Sequence, residues 1–355
     1  MDELGLRSRE LLKGSNSRSP LVLFNPRPQS LQLENPKSVE RLRCALLNLN
    51  QLSGFLSIIV PSVSTIQHDH TYASPSPPSL AVNDTAYSLK QTSVLTGNTQ
   101  NCPYSMEEFA QLEEMEVNRL CLTEEDRITL EHDTREQSGD DRWHDARRKR
   151  ITGSKCGRIL EQKNRTVALL SFCLYPKPFL FLPKAIEWGR QNEPVACKRY
   201  VQYMNSHGHP GLEASKCGFF VHPDKGWLGA SPDATVHDPS SHAPHGLAEF
   251  KCSFSKADVD IEIACKDPLF YCTMVNDSFH LKRTHTYYHQ VQLQLYTSCF
   301  TWCDFCVYTT KGVAVERIYL DQEWQREQVS IMDSYFFDCM LPELVYPVHK
   351  PGYYL

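Results

Sequence analysis

Between Gly226 and Cys252 the chain reads Gly-Trp-Leu-Gly-Ala-Ser-Pro-Asp233-Ala-Thr-Val, crosses a polar stretch rich in His, Pro and Ser, and resumes as Gly246-Leu-Ala-Glu249-Phe-Lys251-Cys. No other segment limits the fold so tightly. Two short apolar runs around a turn-rich insert predict a β-hairpin with carboxylates near one end. Side chains alternate along a strand, so Glu249 and Lys251 share one face while Phe250 turns into the core behind them. Asp233, expected to end the neighbouring strand, closes the group, and an acid and an amine then point into the same space.

That arrangement suits metal-assisted hydrolysis of a phosphodiester. Oxygen ligands from Asp233 and Glu249 would hold Mg²⁺ or Mn²⁺, and such a cation lowers the pKa of a bound water and neutralises charge developing on the phosphate. Lys251 would orient the nucleophile or stabilise the charge. The same residues also suit a turn and the wet face of an ordinary strand, so the surrounding sequence has to decide between the two.

The two runs, Leu228-Gly-Ala-Ser-Pro-Asp233 and Leu247-Ala-Glu-Phe-Lys-Cys252, resemble the YqaJ-like viral recombinases, relatives of lambda exonuclease among the PD-(D/E)XK nucleases. Three further segments extend the resemblance in the same order. Trp143-His-Asp-Ala-Arg147 through Ser154 is similar to the opening segment of the family. Trp188-Gly189-Arg-Gln-Asn-Glu193 is similar to the helix with its first metal-site carboxylate, and Tyr287-Tyr-His-Gln290-Val-Gln292 to the helix that closes the site. The resemblance implies a restriction-endonuclease-like core with a central mixed β-sheet flanked by helices. It implies metal ligands Glu193, Asp233 and Glu249, assistance from Lys251 and Gln290, substrate contact by Tyr287, and a seat for a terminal 5′-phosphate at Arg147, Ser154 and Ser231. Cys252-Ser253 replaces the usual Cys-Pro, and Ala234 replaces the usual Gly; both changes fall at turns.

Other features set the frame. Residues 1–104 are dominated by Ser, Pro, Asn and Gln, with one apolar island at Phe55-Leu-Ser-Ile-Ile-Val60. Such a composition buries too little apolar surface to offset chain entropy, so this region is expected to be mostly disordered, with His68-Asp-His70 in a solvated loop and room to recruit partner proteins. Residues 105–141 read as a helical support. It opens on the capping box Ser105-Met-Glu-Glu with Phe109, Leu112, Met115, Val117 and Leu120 in a stripe, and restarts at Thr123 with Ile128 and Leu130 inward. Residues 142–350 form the nuclease-like domain.

Within that domain, helices are expected over Leu169 onward, Lys184–Asn205, Thr286–Phe300 and Gln322–Leu344, and strands over Lys216–His222, Asp304–Tyr308 and Val313–Tyr319. Pro194 should kink the helix that carries Glu193. Gln292 and Tyr296 form a second pair that suits either a RecB-like site motif or a polar stripe beside core leucines. Cys299, Cys303 and Cys306 raise a metal or cluster, but Cys303 and Cys306 fall on opposite faces of a strand.

The net charge of −5 does not suggest a protein that coats DNA. An active-site nuclease tolerates it, because local basic clusters such as Arg142 to Arg150 govern the encounter with phosphate, and that cluster also suits a nuclear localisation patch. The fourteen scattered cysteines, with no apolar leader after Met1, read as reduced thiols of an intracellular protein, and no run is long enough to span a membrane. The expectation is therefore a Mg²⁺-dependent exonuclease working 5′ to 3′ on linear duplex DNA in recombination, repair or mobile-element processing, with a ring oligomer permitted. The alternative is a transposon-derived DNA-binding adaptor that keeps the fold without turnover.

Overall fold

The computed structural model describes residues 102–162, 164–176 and 181–350. The expectations for the apolar island and for His68-Asp-His70 lie outside these residues.

Helix α1 (Met106–Leu120) starts at the anticipated capping box, where Ser105 N donates to Glu108 Oε2 at 2.7 Å and Glu108 N donates to Ser105 Oγ at 3.3 Å. It buries Phe109, Val117 and Leu120, while Met115 stays half exposed. Helix α2 (Glu124–Asp133) departs from expectation, because Ile128 is 63% exposed and no residue of the helix is buried. Polar bonds attach this end of the chain instead. Thr134 Oγ accepts from Phe219 N at 2.8 Å, and the Glu131 carboxylate accepts from Gly218 N at 2.9 Å.

Helix α3 (Asp141–Arg148) leads through β1 (Ile151–Thr152) into α4 (Gly153–Glu161) and α5 (Val167–Leu174), and α6 (Lys184–Ser206) follows with Pro194 inside it. Strands β2 (Glu213–Ser215), β3 (Phe220–Val221), β4 (Leu228–Ala230), β5 (Ala234–His237) and β6 (His245–Cys252) come next. They do not form the expected pairs. Lys216–Phe219 is not strand, and β4 belongs to a small sheet, parallel to β1 and antiparallel to β3. The hairpin partner of β6 is β5, so Asp233 precedes a strand rather than ending one. Ser231-Pro232 explains the change, because proline offers no N–H to a ladder and the chain leaves one sheet for the other there.

A one-turn helix α7 (Ile261–Ala264) and the hairpin β7 (Cys272–Val275) to β8 (Ser278–Leu281) lead to α8 (Thr286–Ser298), β9 (Trp302–Thr309) and β10 (Gly312–Tyr319). Asn276 and Asp277, at φ of 49° and 60°, make the left-handed pair that such a tight turn needs. The main sheet runs β10-β9-β6-β5-β2; β6 and β9 are parallel and the other pairs antiparallel. The architecture is thus mixed α/β with a mixed central sheet flanked by helices, as the sequence led one to expect. The last expected helix is split into α9 (Gln322–Tyr335), a π-helical turn (Phe336–Met340) and α10 (Leu341–Val345). Pro342 lacks the N–H that a continuous ladder would require, and the wider turn lies just before it.

Alternation along β6 divides the core. Leu247 packs with Cys303, Phe305, Val307 and the apolar faces of α4, α5, α8 and α9, whereas Ala248 and Phe250 pack with Ala196, Tyr200, Trp302, Cys306 and Tyr308. Buried Asp304 ties the second group together: Tyr200 Oη donates to it at 2.6 Å and Arg317 makes two bonds of 2.8 Å. Gly246 runs beneath Trp302, where a Cβ would fall 2.3 Å from the ring.

Candidate active site

One cavity of about 230 Å³ brings together Arg147, Ser154, Ser231, Asp233, Glu249, Lys251 and Gln290. Gln137, Trp143, Gly153 and Gln294, none of which the sequence reading assigned to a site, complete its wall.

The basic part of the wall is built by α3 and the start of α4. Arg147 Nη1 donates to Ser231 Oγ at 3.2 Å and Nη2 to Ser154 Oγ at 3.0 Å. The guanidinium lies over the Trp143 ring, 4.0 Å from its centroid, and Trp143 Nε1 donates to the same Ser231 Oγ at 2.8 Å. Burial lowers the Arg147 pKa to about 10, and the charge of Glu249 works against that loss. Arg147 therefore stays cationic at neutral pH. Behind it, the Lys155 ammonium donates to the carbonyls of Arg147 and Arg150 at 2.9 and 3.0 Å and holds the end of α3 in place.

The acidic part is built by β6. Glu249 is 2% exposed, and its Oε1 accepts from Lys251 and, at 2.5 Å, from Gln290 Nε2. Its Oε2 accepts from Gln294 Nε2 at 2.7 Å. Asp233 is tied to the same strand, with Phe250 N donating to its Oδ2 at 2.6 Å. Burial raises the Asp233 pKa well above the ordinary carboxylate range, and the charges of Glu249 and Glu193 add to the effect. Burial also opposes the charge of Lys251, but Glu249 and Asp233 outweigh it and hold the ammonium above its usual range. The Lys251 Nζ sits 4.5 Å from the centroid of the Tyr287 ring, so Tyr287 braces the lysine.

Glu193 comes from a different direction. Its helix α6 packs against the Phe250 side of the sheet, and Glu193 is not among the cavity-lining residues. It is coupled to the site through charge: desolvation and Glu249 raise its pKa while Lys251 and Arg190 lower it. Gln137 supports the floor. Its backbone sits at a φ of 45°, and its amide donates to the carbonyls of Cys217 and Pro232 at 3.0 and 2.8 Å.

Several sequence candidates fall elsewhere. Gln292 bonds the backbone of Tyr319 and Asp321, and Tyr296 packs at a tilt against the His222 ring, so this pair belongs to the core. Cys303 and Cys306 join the two separate core groups, and Cys299 lies at the surface. Among the described residues every cysteine is a free thiol, no helix is long and apolar enough to cross a membrane, and no three His, Cys, Asp or Glu side chains make a ready-formed metal cage. The donor set nevertheless fits a hard divalent cation. It consists of carboxylate oxygens, with the charge of Glu249 raising the pKa of both Asp233 and Glu193, and beside them the buried amide Oε1 of Gln294, which has no hydrogen-bond partner among the described residues.

The chain is similar to several solved structures of low identity. An alkaline exonuclease from Laribacter hongkongensis shares 22% identity over 58% of this chain and 94% of that one, with a TM-score of 0.42. The same enzyme in complex with dAMP gives 24% identity, coverages of 58% and 95%, and a TM-score of 0.44. The shutoff and exonuclease protein of Kaposi's sarcoma-associated herpesvirus gives 14% identity, coverages of 62% and 73%, and a TM-score of 0.39. No curated protein sequence matches the chain. The family model of the YqaJ-like viral recombinase domain matches residues 142–301, a span that contains every cavity-lining residue except Gln137. Over those residues the chain is similar to the YqaJ-like viral recombinase domain.

Proposed function

We propose that this domain is a divalent-metal-dependent deoxyribonuclease that digests linear duplex DNA from 5′-phosphorylated ends in the 5′-to-3′ direction. One observation carries the reading: the Arg147–Ser154–Ser231 group and the Asp233–Glu249–Lys251 group line the same cavity. A cationic guanidinium with two hydroxyls suits a terminal phosphate, and clustered acids with a lysine suit the cleavage of a phosphodiester. Asp233 and Glu249, with Glu193 contributing from α6, would hold Mg²⁺ or Mn²⁺, which when bound supplies charge neutralisation and a more acidic water. Lys251 orients the nucleophile, Gln290 steadies Glu249, and Tyr287 holds Lys251 against the substrate side.

The proposed domain runs past the family match to about residue 350: β9 pairs with β6 along Leu247 to Cys252 and backs the strand of Glu249 and Lys251, and Trp324, Val329, Met332 and Leu341 pack in the same core as Leu247. The remaining elements of the proposal are an intracellular or nuclear setting, work in recombination, repair or mobile-element processing, and assembly into a ring, with partner proteins recruited through the N-terminal region. A second reading, a DNA-binding adaptor without turnover, draws on the full engagement of Glu249 by Lys251, Gln290 and Gln294.

Digestion of linear duplex DNA carrying 5′-phosphate or 5′-hydroxyl ends, across a Mg²⁺ titration, separates these readings. Nucleotide release that favours 5′-phosphate ends and vanishes in Lys251→Ala is the expected result. Retention of DNA without cleavage at any metal concentration gives the adaptor, and cutting of closed circles replaces the exonuclease with an endonuclease.

A further inference from the structure

Two amides on α8, one turn apart, meet the two oxygens of a single carboxylate. Gln290 Nε2 donates to Glu249 Oε1 at 2.5 Å, and Gln294 Nε2 donates to Glu249 Oε2 at 2.7 Å. The oxygens are not equivalent. Oε1 also accepts from Lys251, whereas the bond to Oε2 comes from Gln294. At its other end the Gln294 amide has a buried Oε1 that accepts no hydrogen bond from the described residues, although the residue is only 1% exposed and lines the cavity. Buried carbonyls are rarely left this way unless a water or ligand completes them. Helix α4 backs the pair closely: a Cβ on Gly153 would fall 3.2 Å from Gln290 Cγ and 3.6 Å from Gln294 Cγ.

We propose, on the basis of the nuclease reading above, that Gln294 is a positioning residue for the cation site. It fixes the plane of the Glu249 carboxylate through Oε2, so that Oε1 can exchange Lys251 for a divalent cation without the side chain turning away. Its own Oε1 takes a hydrogen bond from a water in the cavity. Gln292, two residues earlier, provides the internal comparison. Its Nε2 donates to Tyr319 O at 2.9 Å and its Oε1 accepts from Asp321 N at 2.8 Å, so both ends are used by backbone away from the cavity.

The test uses the full chain and its Gln294→Met and Gln292→Met variants, with Gln294→Asn as a smaller change that retains an amide one methylene short. Mn²⁺ affinity is measured by calorimetric titration, folding by thermal melting, and kcat and KM on linear 5′-phosphorylated duplex. Both Gln294 variants should bind Mn²⁺ about tenfold or more weakly while folded, with kcat lowered and KM little changed; outer-shell partners of metal ligands typically act at this scale. Gln292→Met should melt earlier and bind Mn²⁺ as the parent does. Parent-like Mn²⁺ affinity in folded Gln294→Met and Gln294→Asn overturns the inference and leaves the nuclease reading standing. A parent chain that takes up no Mn²⁺ overturns both. A parent chain that binds Mn²⁺ but cuts no DNA removes the nuclease reading alone, and a tenfold difference in affinity then still supports the role of Gln294.

Discussion

The guanidinium of Arg147 rests on the indole of Trp143, 4.0 Å above its centroid, while the same indole donates its N–H to Ser231. One side chain thus orients two of the three groups assigned to the phosphate seat. Trp143→Phe keeps an aromatic face under the cation and deletes the N–H. Preference for 5′-phosphate over 5′-hydroxyl ends should fall by a factor of about five, or roughly 1 kcal/mol, the usual worth of one hydrogen bond. Trp143→Ala, which also removes the cation–π contact, should lower it further. Competition between the two kinds of end in one digestion checks both, and an unchanged ratio in Trp143→Ala would remove the tryptophan from the seat.

Tyr200 joins the helix of Glu193 to the sheet through its 2.6 Å bond to Asp304. Tyr200→Phe leaves Asp304 its bonds from Arg317 but takes away a donor in a fully buried site, and should cost about 1–2 kcal/mol of stability. Asp304→Asn should cost more, because it weakens the pairing that holds the Arg317 charge inside. Urea denaturation of the two variants ranks them; a Tyr200→Phe protein as stable as its parent would mean that the tether contributes nothing.

His222 gives the fold a dependence on acid. Burial lowers its pKa to about 3, and Lys225 and Arg127 add to the effect. The ring must stay neutral because its Nδ1 accepts from the backbone N–H groups of Asp224 and Lys225 at 3.0 and 3.1 Å. In the unfolded chain the ring takes a proton near its ordinary pKa of 6.5. The stabilisation is therefore complete above pH 6.5 and is lost as the pH falls from there toward 3, by at most about 1.4 kcal/mol per pH unit. The urea midpoint of the parent should drop more between pH 7 and pH 5 than that of His222→Asn, whose amide oxygen accepts without titrating near this range. Equal drops would assign the acid sensitivity to other groups.

Gly246 has no room for a side chain. A Cβ would meet Trp302 at 2.3 Å, and that ring is fully buried and anchored by its own bond to Ala243 O at 2.7 Å. Gly246→Ala should cost about 1–3 kcal/mol through overpacking. Gly312→Ala, where no atom of the described residues lies within 4 Å, should leave the melting temperature nearly unchanged. Thermal melts of both variants side by side check the contrast.

The alternation of Glu249, Phe250 and Lys251 was legible because a strand's period is local, and the two core groups divide as that period requires. The partner of β6 was not, since pairing depends on where the chain changes sheets, and Pro232 marks that place only in retrospect. Gln294 was missed although a signal existed: it lies four residues after Gln290 and so shares its helical face. Gln292 and Tyr296 carried the same spacing on another face, and only packing separates the two pairs. Trp143, four residues before Arg147 on α3, could have been found by the same rule. The attachment near α2 was hidden for a different reason, because it relies on Thr134 and Glu131 meeting distant backbone rather than on an apolar stripe.

Ser231 and Asp233 stand on either side of Pro232, one after the last residue of the small sheet and the other before the first strand residue of the large one. The spacing between the hydroxyl that would grip a DNA terminus and the acid that would hold the cation beside it is therefore a short gauge, with the φ of its middle residue locked by one ring. Lengthening that junction by a single residue would throw grip and blade out of alignment while leaving every side chain of both intact.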